Sequence, residues 1–575
     1  MNRIASALVV FLLFFSSTAA LVSLQWSRGR EWKAADSRYG VVKESLARLE
    51  KEVVDPTVFH EESAASYINE FADAAYAMRG DFYTPMGEEE NRAFLRDADL
   101  TAQQIFNIRV LLNRRLAEFQ RDGVLGDETV DAFRRAHLYL SYAADSLIAR
   151  RDALRPILAF SDRKPGGFFS YESPRTLVNQ EIFPEGWVSL QAGDLILVRG
   201  ASFISATIAR IGDVVTNMSH LAMVAEAPDG KLKVVEALME RNVVAYDLQD
   251  YLDLERLPRV AIYRAVASPA KKFAREAARE LWRIYEDSQK NPSRYRFDLQ
   301  MNLHDNGKIF CAKLSRQAWE RASGGTVVLP SHLTSFSAAL KTDFAKGIQM
   351  QVEKSFAPAD VEVDPTFELI AEYRDIEMLA ESRRFDVVLS ILFAKFKEGF
   401  TYRPDIAAGF QAVAAIFARD LGFDLKQIPA DAKVETMATL IRHRDLVAAL
   451  MEELKELEEE TSLRLRRPLS YVELEELFEK ACAGKCVERR SSSKNKAVPR
   501  TGRAISTERT RGPSDRVSKP AFENKPTSYS VQPPSGPTAS AIGSSRFAGR
   551  EGGSPPWGCA ISFVVMGSAA ARSST

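Results

Sequence analysis

One cysteine in this 575-residue sequence has a setting suited to nucleophilic catalysis. Cys311 follows a turn at Asp305-Asn-Gly-Lys308 and lies in the first turn of a predicted helix. The unpaired N–H groups and the dipole at a helix start stabilise an anion. The pKa of a thiol at such a position, beside a protonated histidine, can fall to between about 3.5 and 7.5. Cys311 is therefore a candidate nucleophile, although an inert buried cysteine is the commoner alternative.

A predicted β-hairpin over residues 219–238 carries a matching base. The turn Ala227-Pro-Asp-Gly230 suits a type I turn followed by a left-handed glycine, which fixes the pairing of the two strands. In that register His220 and Glu236 lie on one apolar face, as diagonal neighbours about 7–8 Å apart at the backbone. Either they satisfy one another in a core, or Glu236 orients a catalytic imidazole.

Four short motifs connect these residues to a known family. They are Gly193-Asp-Leu-Ile196, Ser219-His-Leu-Ala-Met-Val224, Val235-Glu-Ala237, and the stretch from Tyr295-Arg-Phe-Asp298 to Phe310-Cys-Ala-Lys-Leu314. In that order, the motifs resemble the permuted papain-like cysteine hydrolases, the YiiX/YebB-like branch of the NlpC superfamily. The resemblance covers about Trp187–Gly325.

The resemblance implies a role for each of the three residues. Cys311 would be the nucleophile, His220 the general base and then acid, and Glu236 the residue that holds the imidazole. Members often have a glutamate two residues after the cysteine, where this sequence has Lys313. The reaction would be acyl transfer through a thioester, with the Cys311 N–H as one oxyanion donor and no identifiable second donor.

Other polar residues are candidates for the walls of the pocket. Arg199, Arg210 and Asp213 lie between the first predicted strand and His220, and we predict them as substrate contacts, with solvated loop charges as the alternative. Asp298 could shape the pocket or cap a turn. The remaining histidines have no acidic or thiol partner at a telling spacing and are interpreted as structural or surface residues. No metal or cofactor is predicted.

The elements that must position these residues divide the chain. The predicted fold class is α+β, a circularly permuted papain-like (NlpC-like) domain with an antiparallel sheet and a nucleophile helix, between two α-helical regions. Residues 367–398 and 405–420 are predicted to be packed helices. The expected organisation is a signal peptide or membrane anchor (1–24), a helical region and linker (25–185), the papain-like domain (186–345), a second helical region (346–485) and a disordered basic Ser/Pro/Gly-rich tail (486–575).

The N-terminus predicts export. An uncharged run from Ile4 to Gln25 contains the apolar stretch 8–15 and then small residues, the layout of a secretory signal. The run is also long enough to span a bilayer, and basic residues after it favour, by the positive-inside tendency, an anchor with the body in the cytoplasm. The layout of a secretory signal outweighs this alternative, so we expect a periplasmic or inner-membrane-anchored protein, with membrane contact only through this segment.

Composition excludes several functions. The chain has 77 Lys and Arg against 77 Asp and Glu, but residues 486–575 carry 14 basic and 5 acidic side chains, so the body is net negative. Nucleic-acid binding needs clustered cations, so no such partner is expected. The four cysteines lack zinc-ribbon spacing, and Cys482 and Cys486, four apart, are candidates for a disulfide with each other.

Three functions fit these features. The first is a cell-envelope cysteine hydrolase that cleaves an amide bond in a peptide or peptidoglycan-derived substrate. The second keeps the same residues but acts on a lipid ester or acyl-amide, as hydrolase or acyltransferase. The third is a noncatalytic envelope binding or scaffold protein. The sequence does not define the oligomeric state.

Overall fold

The computed structural model describes residues 38–54, 64–81, 87–154, 175–252, 257–402, 405–420, 432–465 and 469–482. All of these belong to the first of two compact units, Met1–Ser492. The predicted signal or anchor (1–24) and the predicted tail (486–575) lie outside the described residues. Within the described ranges, no helix combines the length and apolar composition needed to cross a bilayer.

The N-terminal region is helical, as its apolar spacing predicts. Its helices bury Leu, Ile, Phe and Ala side chains at helical intervals in one common core. The glycine at position 123 ends the longest helix with a left-handed backbone, φ 75°, a conformation that glycine adopts without strain. The helices are α1 (Arg38–Val54), α2 (Ala64–Asp81), α3 (Glu88–Asp122) and α4 (Asp127–Leu154).

The remaining elements surround an antiparallel sheet. In chain order they are β1 (Thr176–Val178), β2 (Leu195–Arg199), α5 (Phe203–Arg210), β3 (His220–Glu226), β4 (Leu232–Leu238), β5 (Asn242–Asp247), α6 (Leu248–Tyr251), β6 (Arg259–Ala265), α7 (Ala270–Lys290), β7 (Arg296–Phe297), β8 (Lys308–Ile309), α8 (Cys311–Ser323), β9 (Thr334–Ser335), α9 (Asp343–Gly347), β10 (Lys354–Ser355), β11 (Phe367–Arg374), α10 (Ile376–Lys397), α11 (Ile406–Asp420), α12 (Val434–Leu465) and α13 (Tyr471–Cys482). The α+β class is confirmed.

Seven strands form the main sheet in the order β1-β11-β6-β2-β3-β4-β5. One face, with Leu197, Leu221 and Met223, packs against α7 and α8. The opposite face, with Ile196 and Val224, has its own apolar core. Because successive side chains of a strand point to opposite faces, the alternating apolar runs of the sequence supply both cores.

The predicted hairpin register is confirmed. Met223 pairs with Val235, and the Ala227 N–H donates to the carbonyl of Lys231 at 3.0 Å. Gly230 has φ +78°, the left-handed backbone that the turn requires. The turn therefore sets the alignment of the two strands that carry His220 and Glu236.

The prediction of helices over residues 367–398 is wrong for its first eight residues. Residues 367–374 form β11, which pairs with β1 on one side and β6 on the other. The glutamates at 368 and 372 would suit the solvent-exposed face of a helix, but both are buried. Glu368 pairs with Arg114 of α3, and Glu372 pairs with Arg109 of the same helix. The sheet thus takes strands from sequence on both sides of residues 186–345.

A buried ion-pair network joins the N-terminal helices to the sheet. Arg109 of α3 contacts Glu372 of β11 at 2.5 Å and Glu362 at 3.2 Å. Asp145 of α4 pairs with Arg259 of β6. All of these side chains are buried. A buried charge without its partner is strongly destabilising, so the helices and the sheet depend on one another.

Arg109→Ala should lower the free energy of unfolding by about 3–5 kcal/mol, because it leaves two buried carboxylates without their common partner. Urea titration of the full chain measures the change. Arg92→Ala is the matched control, since Arg92 makes an exposed i,i+4 pair with Glu88 and should change stability by less than about 0.5 kcal/mol. A loss below about 1 kcal/mol for Arg109→Ala would contradict the role of the network.

Candidate active site

Cys311 is the first residue of α8. The short parallel pair of β7 and β8 leads into the helix, with Phe310 as an extended N-cap residue that gives no side-chain cap. The first intrahelical bond runs from the Leu314 N–H to the Phe310 carbonyl at 3.0 Å. Cys311 therefore lies at the helix end where backbone N–H groups have no intrahelical partner, and the residue is only 8 % exposed.

His220 and Glu236 form the predicted pair. His220 is the first residue of β3, and its Nε2 lies 2.7 Å from Oε2 of Glu236 in β4. The Glu236 side chain is fully buried, whereas that of His220 is 16 % exposed. Because Nε2 is held by the carboxylate, Nδ1 is the ring nitrogen left for the thiol.

Electrostatics favour the protonated imidazole. Burial lowers the pKa of His220, but the charge of Glu236 and the adjacent Cys311 outweigh it and raise that pKa to about 10. The thiol lies within hydrogen-bonding reach of the ring. At neutral pH the site therefore holds an imidazolium beside the sulfur atom of Cys311 at the start of α8.

Tyr251 is a site residue that sequence reasoning missed. It lies in α6, and its hydroxyl donates to Oε2 of Glu236 at 2.9 Å. Burial and then the Glu236 charge raise the pKa of Tyr251 well above its usual value, so it stays a donor. No spacing in the sequence links Tyr251 to the other residues, because it reaches the carboxylate from α6, the short helix that directly follows β5.

An apolar cavity opens beside Cys311. Its volume is about 750 Å³, including the part open to solvent. The walls come from α5, from the segments before α8 and after α9, and from α12. The apolar side chains that line it are Phe203, Ile204, Ile208, Ile211, Met239, Phe297, Leu299, Met301, Phe310, Phe344, Ile348, Met350, Pro358 and Leu440.

The polar groups of the cavity wall already have partners. Asp298 accepts the N–H groups of Gln300 at 3.0 Å and Asn302 at 2.9 Å, so it caps a turn as well as lining the cavity. His443 contacts Thr207 Oγ1 at 3.0 Å and the Tyr402 hydroxyl at 2.8 Å. Burial lowers the pKa of His443 to about 3, so its ring adds no charge to the cavity at neutral pH.

Lys313, which replaces the glutamate frequent in the resembled family, braces the loop before α8. It is buried, and its Nζ donates to the carbonyl oxygens of Asn302, at 2.8 Å, and Asp305. Burial lowers the pKa of this amine. Lys313 therefore positions the segment that precedes Cys311 and does not line the cavity.

Arg199, Arg210 and Asp213, predicted as substrate contacts, do not line the cavity beside Cys311. Both arginines are buried and share Asp386 of α10, at 2.6 and 2.9 Å. Asp213 accepts the backbone N–H groups of residues 337 and 338. Since these charges are engaged in internal contacts, we do not propose them as substrate ligands.

Gly193 and Asp194 of the first motif also have structural roles. Gly193 has φ +96°, and a Cβ there would lie 2.6 Å from the carbonyl oxygen of Ala274 in α7. Asp194 pairs with Arg264 of β6 at 2.7 Å. The motif therefore allows close packing of helix and sheet. Among the described residues, no cluster of His, Cys, Asp or Glu is arranged to hold a metal ion.

Compared with protein-family models, curated proteins and solved structures, this chain matches none. Functional assignment therefore rests on the geometry of Cys311, His220 and Glu236 and on the cavity beside them.

Glu236→Gln should lower the pKa of His220 by at least one unit, because it removes the carboxylate charge that raises it. NMR titration of the imidazole measures this shift. Glu226→Gln is the control, since Glu226 ends β3, the strand that His220 begins, but pairs with Arg275 and Arg279. An unchanged titration midpoint in Glu236→Gln would show that the carboxylate does not control the ring.

The same shift predicts a pH dependence of stability. The folded-state pKa of His220, about 10, exceeds the unfolded value of about 6.5. The resulting stabilisation is complete below about pH 6.5 and is lost as pH rises through about 10. Urea titrations should therefore show a steeper fall in unfolding free energy between pH 7 and 10 for the natural chain than for Glu236→Gln.

Proposed function

We propose that this chain is a cysteine hydrolase with a circularly permuted papain-like domain, which transfers an acyl group through a thioester on Cys311. One observation carries the proposal. The thiol of Cys311 at a helix start, the imidazole of His220 and the buried carboxylate of Glu236 lie next to one another in that order, with the thiol at the edge of a cavity. In chain order the base and its acid precede the nucleophile, as the resemblance implies. A scaffold protein would have no need for this charge arrangement.

The proposed reaction has two halves, acylation of Cys311 and hydrolysis of the thioester, and His220 transfers one proton in each. The thiolate of Cys311 attacks the carbonyl carbon of the substrate, and backbone N–H groups of the first turn of α8 stabilise the oxyanion. Protonated His220 gives its proton to the leaving group as the tetrahedral intermediate collapses to a thioester. His220 then takes a proton from water, whose oxygen attacks the thioester, and the acid and the thiolate–imidazolium pair are released. Glu236 holds the ring throughout, and Tyr251 holds the Glu236 carboxylate.

The cavity favours an acyl chain as the substrate group. Nearly all of its wall is Phe, Ile, Leu and Met, and its polar residues are already bonded to protein groups. A peptide would bring amide groups that need hydrogen-bond partners when buried. We therefore propose a lipid ester or acyl-amide, the second of the three functions that the sequence suggests, in preference to the peptide or peptidoglycan-type amide.

We propose an exported or membrane-anchored location. Cys482 of α13 is disulfide-bonded, and its pairing with Cys486 stays a prediction because Cys486 lies outside the described residues. Disulfides persist in oxidising compartments, and this supports export. In such a compartment Cys311 is a free thiol, as a nucleophile must be.

Alkylation should distinguish a catalytic thiol from an inert one. Iodoacetamide should modify Cys311 well below pH 8, and His220→Ala should slow that modification at least tenfold at pH 6–7, because the imidazolium that stabilises the thiolate is lost. Mass spectrometry of the Cys311 peptide measures the rate. His304→Ala, at an exposed turn, is the control. An ordinary thiol profile that His220→Ala leaves unchanged would favour the scaffold function.

Ester length should test the substrate class. We expect p-nitrophenyl octanoate to be cleaved with at least tenfold higher kcat/KM than the butyrate, because each buried methylene contributes about 0.8 kcal/mol. Leu440→Trp, which fills the cavity, should abolish this preference, whereas Leu463→Trp at an exposed site should keep it. Equal rates for both esters, together with cleavage of peptide amides, would contradict the acyl substrate while leaving the cysteine mechanism in place.

A further inference from the structure

Helix α11 presents an apolar stripe to solvent. Ile406, Phe410, Val413 and Phe417 are each between 53 % and 79 % exposed. Their spacing of four, three and four residues places them on one side of the helix. Single exposed apolar side chains are common on proteins, but a contiguous row of four marks an interaction surface. We call these four residues the α11 stripe.

The opposite side of α11 explains why the stripe faces outward. Ala408 and Ala412 are buried against Met437, Ala438 and Ile441 of α12. The small alanines let the two helices approach closely, so this side is already used for packing. The large side chains are left on the outer side, which no described element covers.

The apolar, uncharged composition of the stripe suits the boundary between the headgroups and the acyl chains of a lipid bilayer. No charged residue occurs from Ile406 to Ala418, so the stretch that carries the α11 stripe has no ionic group that insertion would have to desolvate. With 15 residues, α11 is too short to span a bilayer but long enough to lie in its plane. A stable dimer needs roughly 800 Å² from each partner, about 20–30 residues, more than one helix stripe supplies.

Two other features favour lipid as the partner. The cavity beside Cys311 is apolar, and Leu440 and His443 of α12, the helix on which α11 packs, line it. The uncharged run Ile4–Gln25 would bring the chain to a membrane, either during export or as an anchor. An enzyme that takes its acyl substrate from a bilayer needs a surface that holds it there.

We propose that the α11 stripe inserts into the acyl boundary of a lipid bilayer and holds the cavity close to the membrane surface. The choice of lipid as partner rests on the proposed acyl substrate. Because the stripe has no basic side chain, insertion depends on apolar burial alone, and a zwitterionic lipid is sufficient.

Photolabelling of the full chain tests this inference. The chain is bound to phosphatidylcholine vesicles that contain a phosphatidylcholine with a diazirine in its acyl chain, irradiated, and mapped by mass spectrometry. We expect adducts on residues 406–417. Phe410→Ser with Phe417→Ser should reduce them at least tenfold, whereas Leu100→Ser with Leu463→Ser, two exposed leucines outside the stripe, should leave them unchanged.

The outcomes separate this inference from the proposed function. Adducts confined to other parts of the chain, or cross-linking of two copies through the stripe without vesicles, would overturn insertion. Neither result bears on alkylation of Cys311, which reports the catalytic thiol independently. An ordinary thiol profile for Cys311 together with adducts on the stripe would instead contradict the proposed enzymatic function and support the insertion of the stripe into the membrane.

Discussion

The site depends on one charge placed where charges are costly. Glu236 is fully enclosed by the sheet and its covering elements, and an enclosed carboxylate is stable only with partners. His220 and Tyr251 both bind the same oxygen. The carboxylate therefore keeps the imidazole protonated beside the sulfur of Cys311 at the start of α8. Without Glu236, the burial of His220 would favour the neutral imidazole.

The sheet makes this arrangement rigid. The hairpin of β3 and β4 fixes the distance between imidazole and carboxylate, and α8 packs on the opposite face of the same strands through Leu314 and Trp319. Because His220 begins its strand, its ring reaches the end of the sheet where the helix starts. Lys313 then braces the loop that leads to the nucleophile. The backbone hydrogen bonds of the hairpin thus place His220 and Glu236, and the apolar packing of α8 brings Cys311 to them.

Local patterns predicted the parts of the site that local structure determines. The turn at Ala227–Gly230 has only one common loop geometry for its residues, so the register and the pairing of His220 with Glu236 followed. The helix start at Cys311 was marked by the turn before it. In contrast, Tyr251 and β11 depend on contacts with distant residues. The glutamates of β11 suit a strand only because arginines from α3 neutralise them, and no pattern within residues 367–374 indicates those partners.

The role of the C-terminal helices could not be predicted for the same reason. Phe344, Leu440 and His443 lie far along the chain from Cys311, and nothing in their spacing indicates a common cavity. Arg199 and Arg210 were conspicuous in sequence because they precede His220, but their partner, Asp386, belongs to α10. Charges near a motif in sequence are therefore weaker indicators of substrate contact than the apolar residues that close the pocket.

The position of β11 between β1 and β6 has a consequence for how such a protein can change over time. A strand encoded after the nucleophile helix separates an edge strand encoded before the first motif from the rest of the sheet. A gene fragment limited to the motif-bearing stretch would leave β6 with an open, unpaired flank, which invites association with other chains. The motif-bearing stretch is thus not an independent folding unit, and recombination that preserves its sheet must carry the flanking sequence as well.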